Sequence, residues 1–234
     1  MQSKTFKRFY KQAGIAEVEG GFAVRLDGRP IKTPAGRALV VPSAALAEAI
    51  AAEWNEQGET VRPATMPMMQ LAATAIDRVE PERPAILEQL RKYAATDLVC
   101  YHADFPPDLA ERQRAGWQPL LDWVAAELGA RLVVTESILA VEQPQEALAA
   151  LAARLEGHDT WRLAALQLTC AATGSLVLAV ALTEGRLDAE ATFQLSQLDE
   201  TYQREKWGDD EEAAERRAAL ERDVASAARL LALL

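Results

Sequence analysis

Residues 19–28 read EGGFAVRLDG and predict a β-strand with a tight turn at each end. Phe22, Val24 and Leu26 recur at every second position, which is the period of a half-buried strand. Glycines on both sides of the strand supply the positive φ angles that hairpin turns require. An antiparallel β element is therefore expected near the start of the chain.

Further strands are predicted on the C-terminal side of this stretch. Residues 29–33 form a return strand, residues 34–36 read PAG and turn the chain, and residues 37–41 form the next strand. Pro42 and Ser43 end the sheet, and the Ser43 hydroxyl is placed to cap a helix. Three or four short antiparallel strands result.

Beyond residue 80 the pattern of apolar residues is almost entirely helical. Residues 80–84 read EPERP, and two prolines among charged residues favour a linker. We therefore predict an α+β protein, with a small β-containing N-terminal domain at 1–80 that includes one or two helices. A larger all-helical C-terminal domain is predicted at 81–234. Its later helices are expected at about 144–156, 159–173, 175–184, 188–207 and 210–233.

Charge and composition exclude several classes of partner. The 234 residues carry a formal net charge of −10, whereas a nucleic-acid binder needs a basic face. Residues 163–182 contain no charged residue and could span a membrane by length. Gly174 and Ser175 interrupt this run, so two buried helices that meet there are favoured. Cys100 and Cys170 are expected to be buried apolar residues.

Sequence patterns for catalysis or cofactor binding are absent from the chain. It contains neither a phosphate-binding glycine loop nor the glycine-flanked serine of a nucleophile elbow. The two histidines, His102 and His158, have no histidine or cysteine at metal-ligand spacing. We therefore expect neither a metal nor a cofactor, and we do not expect an enzyme.

Residues 198–210 read LDETYQREKWGDD and have no evident catalytic use. Within the helix predicted at 188–207, Leu195, Leu198 and Tyr202 are expected on a buried stripe. Gly208 is expected to end this helix. Two more helix starts are predicted from capping boxes: Asp108 with Glu111, and Asp209 with Glu212.

Three residues of this segment lie off the buried stripe. Glu200 and Arg204 are spaced four apart, as in a surface ion pair. Trp207 either fills a corner of the domain or stands at the surface as an anchor for a partner. Both interpretations stay open on the local sequence alone.

Four blocks of the sequence together resemble the family of assembly chaperones for the ATP synthase α subunit. The blocks are Lys7–Tyr10, Leu26–Pro34, Val41–Ser43 with Ala51–Trp54, and Leu198–Gln203 with Lys206–Gly208. They occur in order and span nearly the whole chain. The resemblance implies an ATP-independent chaperone that binds the free α subunit and prevents its aggregation or mispairing before assembly with β.

The resemblance also implies a β-containing N-terminal domain, a helical C-terminal domain and specific site residues. We expect the client to contact Glu200, Arg204, Trp207 and Asp199, and we expect Trp54, Tyr202 and Gly208 to be structural. The protein is expected to be a soluble monomer when free, in the bacterial cytoplasm, whereas eukaryotic relatives work in the mitochondrial matrix. The alternative is a small-molecule enzyme or binding protein with a site in the crevice between the two domains.

Overall fold

The computed structural model describes residues 5–137, 139–208 and 210–234. Two compact units are present. The first comprises the chain up to Arg83 together with Arg229–Leu234, and the second comprises Pro84–Ala228. The domain limits expected from the sequence, 1–80 and 81–234, stay a prediction.

The first unit contains the strands. The main sheet is antiparallel throughout, and a separate two-stranded sheet joins the N-terminal segment to residues 60–61. The main sheet consists of β2 (Ala13–Val18), β3 (Gly21–Leu26), β4 (Arg29–Pro30) and β5 (Val40–Val41), and the separate sheet consists of β1 (Phe6–Lys7) and β6 (Thr60–Val61). The strand predicted from residues 19–28 is β3, and it pairs with β2, β4 and β5.

Helix α1 (Ala44–Asn55) packs against the main sheet through Leu46, Ile50 and Trp54, all of which are buried. As predicted, the Ser43 hydroxyl caps this helix by accepting from the Leu46 N–H at 3.1 Å. The same hydroxyl donates to the carbonyl oxygen of Leu233, which lies near the end of the chain. Ser43 therefore joins the start of α1 to the C-terminal residues.

The remaining helices follow in chain order. They are α2 (Pro67–Thr74), α3 (Arg83–Ala95), α4 (Pro107–Glu127), α5 (Gln145–Glu156), α6 (Thr160–Thr173), α7 (Leu176–Thr183), α8 (Ala189–Ser196), α9 (Leu198–Trp207) and α10 (Glu211–Ala232). The prediction of an α+β fold, with a small N-terminal β region followed by a larger helical part, is confirmed.

The uncharged segment at 163–182 forms two core helices that meet at Gly174 and Ser175, as predicted. Every residue from Leu176 to Leu182 is buried, so α7 lies in the core of the second unit. Within the described ranges, none of the helices combines the length and the apolar character needed to cross a membrane.

Asp97 connects the start of α7 to the loop that follows α3. Its carboxylate accepts from the Ser175 hydroxyl at 2.6 Å and from the backbone N–H groups of Val177 and Val99 at 3.0 and 3.2 Å. Asp97 is completely buried, and burial raises the pKa of its carboxyl to about 6, against the opposing effect of these hydrogen bonds. The thiols of Cys100 and Cys170 lie nearby, and burial raises the pKa of both.

The segment predicted as one helix at 188–207 forms two helices, because the helix is interrupted at Gln197. The indole N–H of Trp117 donates to the carbonyl oxygen of Leu195 at 2.9 Å, and a continuous helix would give this acceptor to the N–H of residue 199. The predicted buried stripe is consequently wrong at Leu195 and Leu198, which are only half-buried.

Both predicted capping boxes also differ from the structure. Pro106 precedes α4 without a side-chain cap, and the Asp108 carboxylate instead accepts from the Tyr202 hydroxyl. Helix α10 is capped by Asp210, which accepts from the Ala213 N–H at 2.8 Å. Asp209, the predicted cap, lies outside the described residues. Aspartate at a helix start is thus recognisable in the sequence, but its partner depends on packing between helices.

Protonation of Asp97 should make the stability of the protein depend on pH. Because the folded-state pKa is about 6 and the ordinary value is 3.8, the folded protein binds this proton more tightly than the unfolded chain. The contribution of Asp97 to stability is therefore complete below pH 4 and is lost as the pH rises through 6, by about 3 kcal/mol in total. Urea denaturation of wild type and Asp97→Asn at pH 4 to 7.5 measures this effect.

The difference in unfolding free energy between the two proteins isolates Asp97, because their other carboxyls are shared. We expect the wild type to lose stability relative to Asp97→Asn as the pH rises. A difference that stays constant across this range would show that the Asp97 carboxyl titrates normally.

Candidate protein-interaction site

Tyr202 fixes helix α9 against α4. It is the only buried residue of α9, and its hydroxyl donates to the Asp108 carboxylate at 2.8 Å. The Arg112 guanidinium and the Lys206 ammonium lie 5.5 and 5.1 Å from the centre of the Tyr202 ring, within cation–π range. Arg112 also forms an ion pair with Glu205 at 2.8 Å. Tyr202 is therefore buried and bonded to α4, while its assignment as a structural residue stays a prediction.

Asp199 makes a second contact between the same two helices. Its carboxylate accepts from the side-chain amide of Gln113 at 2.5 Å, and the oxygen of that amide accepts from the Ala103 N–H at 2.6 Å. Gln113 is buried, so its amide depends on Asp199 for an acceptor. Asp199 is therefore engaged within the protein, and the client-binding role that the resemblance implies for it stays a prediction.

Helix α4 also lies very close to the residues on both sides of the helix interruption at Gln197, and this contact helps to hold α9 in place. A Cβ atom on Gly116 would lie 2.8 Å from a methyl carbon of Leu195 and 3.3 Å from one of Leu198. Gly116 therefore permits both leucines to pack against α4. No simple sequence pattern identifies this glycine, because it lies inside an ordinary helix.

The opposite face of α9 is open. Glu200 is exposed, Arg204 is half-buried, and Trp207 exposes 77% of its surface. Trp207 therefore does not fill a corner of the domain but stands at the surface, and its role as an anchor for a partner stays a prediction. Gly208 follows with a φ of +88°, a conformation that favours glycine, and ends α9 as predicted.

A groove of about 480 Å³ runs between α9 and α10. Its lining mixes both signs of charge with a few apolar side chains. The charged residues are Glu200, Arg204, Asp210, Glu212, Arg216 and Arg217, and the apolar ones are Trp207, Ala213 and Leu220. Because the two signs of charge balance, the groove offers complementary ion pairs around an apolar anchor.

The first half of α10 is uncovered. Residues 211–223 include no buried residue, and burial begins only at Val224, followed by Ala227 and Leu230. Leu220, at the middle of α10, is half-buried and lines the groove. Sequence reasoning missed Arg216 and Arg217, because solvent-exposed arginines on a helix are too common to stand out.

Comparisons with known proteins decide the family. The sequence model of the ATP12 chaperone protein family matches residues 7–125. The crystal structure of Atp12 from Paracoccus denitrificans is 40% identical and has a TM-score of 0.93, with 97% of each chain covered. The chain belongs to the ATP12 chaperone family. As predicted, it is an assembly chaperone of the ATP synthase.

Two further relatives agree with this assignment. The Atu1473 protein from Agrobacterium tumefaciens is 43% identical with a TM-score of 0.93, covering 98% of this chain and 86% of that one. Protein atp12, mitochondrial, from Schizosaccharomyces pombe is 29% identical over 223 residues, which are 90% of this chain and 77% of that protein. The matched family model ends within α4, whereas the structural similarity extends over the α9–α10 groove.

Removal of the Asp199 carboxylate should destabilise this ATP12-family protein. Asp199→Ala leaves the buried Gln113 amide without its acceptor, and such a loss costs about 1–3 kcal/mol. Chemical denaturation measures the change. Glu200→Ala, one residue along the same helix but exposed, is the matched control and should change stability by less than about 0.5 kcal/mol.

Equal stability of Asp199→Ala and Glu200→Ala would contradict a structural role for Asp199. Such a result would favour its assignment to the client surface instead.

Proposed function

We propose that this protein binds the free α subunit of the ATP synthase catalytic head through the α9–α10 groove. It holds that subunit without ATP and prevents its aggregation or mispairing until β takes its place. The observation that carries the proposal is the exposed Trp207 beside Glu200 in a groove whose second wall, the first half of α10, is uncovered. Large exposed aromatic residues in grooves of this kind commonly anchor protein partners.

The proposed contacts divide by chemistry. Trp207 and Leu220 supply apolar surface, and Glu200 supplies a carboxylate at the centre of the same wall. Arg204 lines both this groove and a neighbouring one, so it contacts a partner that extends along α9. Asp199 remains predicted to be part of the client site, and its bond to Gln113 makes its contribution mainly one of holding α9 in place.

The proposed structural residues act at a distance from the client. Tyr202 and Gly208 set the position and the end of α9. Trp54 is buried in the first unit, where its carbonyl oxygen accepts from the Tyr10 hydroxyl at 2.6 Å. Substitution of Trp54 is therefore expected to affect stability before it affects client binding.

The mechanism that we propose is binding by mass action rather than catalysis. A chaperone that binds the unassembled subunit lowers the concentration of the aggregation-prone species in proportion to its affinity. Release follows when β, which binds more tightly, competes for the same surface of α. We further propose that the free chaperone is a monomer of the bacterial cytoplasm. Its eukaryotic relatives are named as mitochondrial proteins.

Charge reversal at Glu200 should abolish capture of α while leaving the fold intact. Glu200 is exposed, so Glu200→Lys should keep the wild-type thermal midpoint within about 2 °C. An exposed carboxylate that meets a cation of the client becomes repulsive on reversal, and we expect at least a tenfold weaker Kd for the purified α subunit. Biolayer interferometry on immobilised chaperone measures it.

Glu48→Lys is the matched control, because Glu48 is an exposed glutamate on another helix and the charge change is identical. Its affinity for α should equal that of wild type. Unchanged binding by Glu200→Lys would contradict the proposed site. An equal loss of affinity in both variants would show that the effect comes from net charge and not from the position of Glu200.

A further inference from the structure

Arg8 holds the N-terminal segment to the end of α1. Its guanidinium donates to the carbonyl oxygens of Tyr10 at 3.1 Å, Lys11 at 2.7 Å and Asn55 at 3.4 Å, and also to that of Gln57. All four acceptors are backbone carbonyls, two of them at the C-terminus of a helix, where a cation is favoured. Arg8 therefore fixes the backbone on both sides of Phe9.

Phe9 is exposed to solvent while it contacts two other aromatic rings. It exposes 73% of its surface, although its ring stacks on Phe6 at 6.2 Å and meets the edge of Tyr10 at 5.5 Å between centroids. Tyr10 in turn packs against Trp54 at 5.4 Å. Aromatic side chains have few rotatable bonds and a large apolar surface, and exposed ones of this kind commonly act as interface anchors.

The aromatic cluster also contains one buried donor without an acceptor. The indole nitrogen of Trp54 is buried and has no hydrogen-bond partner among the described residues. Phe6 packs against the Trp54 ring at a centroid distance of 6.4 Å. A buried N–H without an acceptor costs about 1–3 kcal/mol, so the Trp54 ring is held in this cluster by its packing against Phe6 and Tyr10.

Among residues 5–137, 139–208 and 210–234, nothing pairs with the second edge of the strand that contains Phe6. Within the described part of the chain, β1 pairs only with β6, in a sheet of two strands. The exposed Phe6 and Lys7 lie on this strand. An open strand edge with aromatic side chains is the geometry that accepts an extended peptide as an added strand.

The charge of this surface indicates the kind of segment that fits it. Residues 5–12 contain three cations, Lys7, Arg8 and Lys11, and no acid. The Asp27 carboxylate accepts from the Lys11 N–H, and the Arg8 N–H donates to the backbone carbonyl of Glu59, just before β6. Residues 5–12 thus carry a charge of +3 in a protein with a net charge of −10, and a segment with carboxylates is favoured.

We infer that Phe6 and Phe9, with Lys7 and Lys11, form a second docking surface for an extended, acidic segment of the client. The segment adds to the free edge of β1, places an apolar side chain against Phe9 and directs a carboxylate to Lys7 or Lys11. This inference rests on the proposed function, since it takes the α subunit as the partner. It assigns a binding role to the first unit, separate from the α9–α10 groove.

Removal of the Phe9 ring tests this surface. Phe9→Ala should weaken the Kd for purified α subunit by at least tenfold and leave the thermal midpoint nearly unchanged, because the ring is mostly exposed. Phe105→Ala is the matched control. Phe105 lies in the second unit and exposes 76% of its surface. Among the described residues, no aromatic ring contacts it. It should change the Kd less than twofold.

The charge requirement is tested separately with the double variant Lys7→Glu, Lys11→Glu. Its affinity for α should fall at least fivefold at low salt and approach the wild-type value at high salt, because exposed charges are screened. An affinity that is independent of these charges would overturn the acidic character of the segment.

A photoreactive benzoylphenylalanine at position 9 identifies the contacted chain directly. We expect it to crosslink to α, at a segment that contains Asp or Glu. If wild type captures α while Phe9→Ala binds normally and position 9 does not crosslink, the second surface is wrong and the proposed function stands. If wild type fails to capture α, the proposed function itself is wrong, and the second surface falls with it.

Discussion

Helix α9 is attached to α4 mainly by hydrogen bonds and ion pairs, with Leu198 as an apolar contact, and the proposed interaction surface depends on this attachment. Tyr202 is its single buried residue, and the bonds from Tyr202 to Asp108 and from Gln113 to Asp199 join the two helices. A helix with a broad buried apolar stripe would present only polar residues to water, and no apolar side chain would remain on its exposed face to contact a partner. In α9 a few polar contacts hold the inner face to α4. Trp207 is therefore not needed for packing and lies at the surface.

The break at Gln197 follows from the same contacts. The Trp117 indole occupies the Leu195 carbonyl, and Gly116 admits the Leu195 and Leu198 side chains to α4. A separate helix therefore starts at Leu198, and its Asp199 and Tyr202 reach α4. An amphipathic pattern cannot reveal such a break, because the indole donor lies nearly eighty residues away in the sequence.

Local sequence patterns predicted the parts of the fold that depend on local chemistry. The alternation around Val24, the serine cap of α1 and the glycine that ends α9 were all readable, because each follows from neighbouring residues. The partners of Asp97, Asp108 and Asp199 were not, since each carboxylate is engaged by residues distant in the chain. At the candidate site, the resemblance to a family directed attention to Glu200 and Trp207. The groove wall formed by Arg216, Arg217 and Leu220 required the three-dimensional arrangement of α9 and α10.

The central claim is that the α subunit covers the groove between α9 and α10. Hydrogen–deuterium exchange of the chaperone, alone and with saturating α subunit, tests it most directly. The first half of α10, residues 211–223, contains no buried residue and should exchange faster in the free protein than the buried helix α7. On addition of the α subunit, we expect slower exchange in residues 198–208 and 211–220. Binding of α that leaves exchange in both segments unchanged would contradict it.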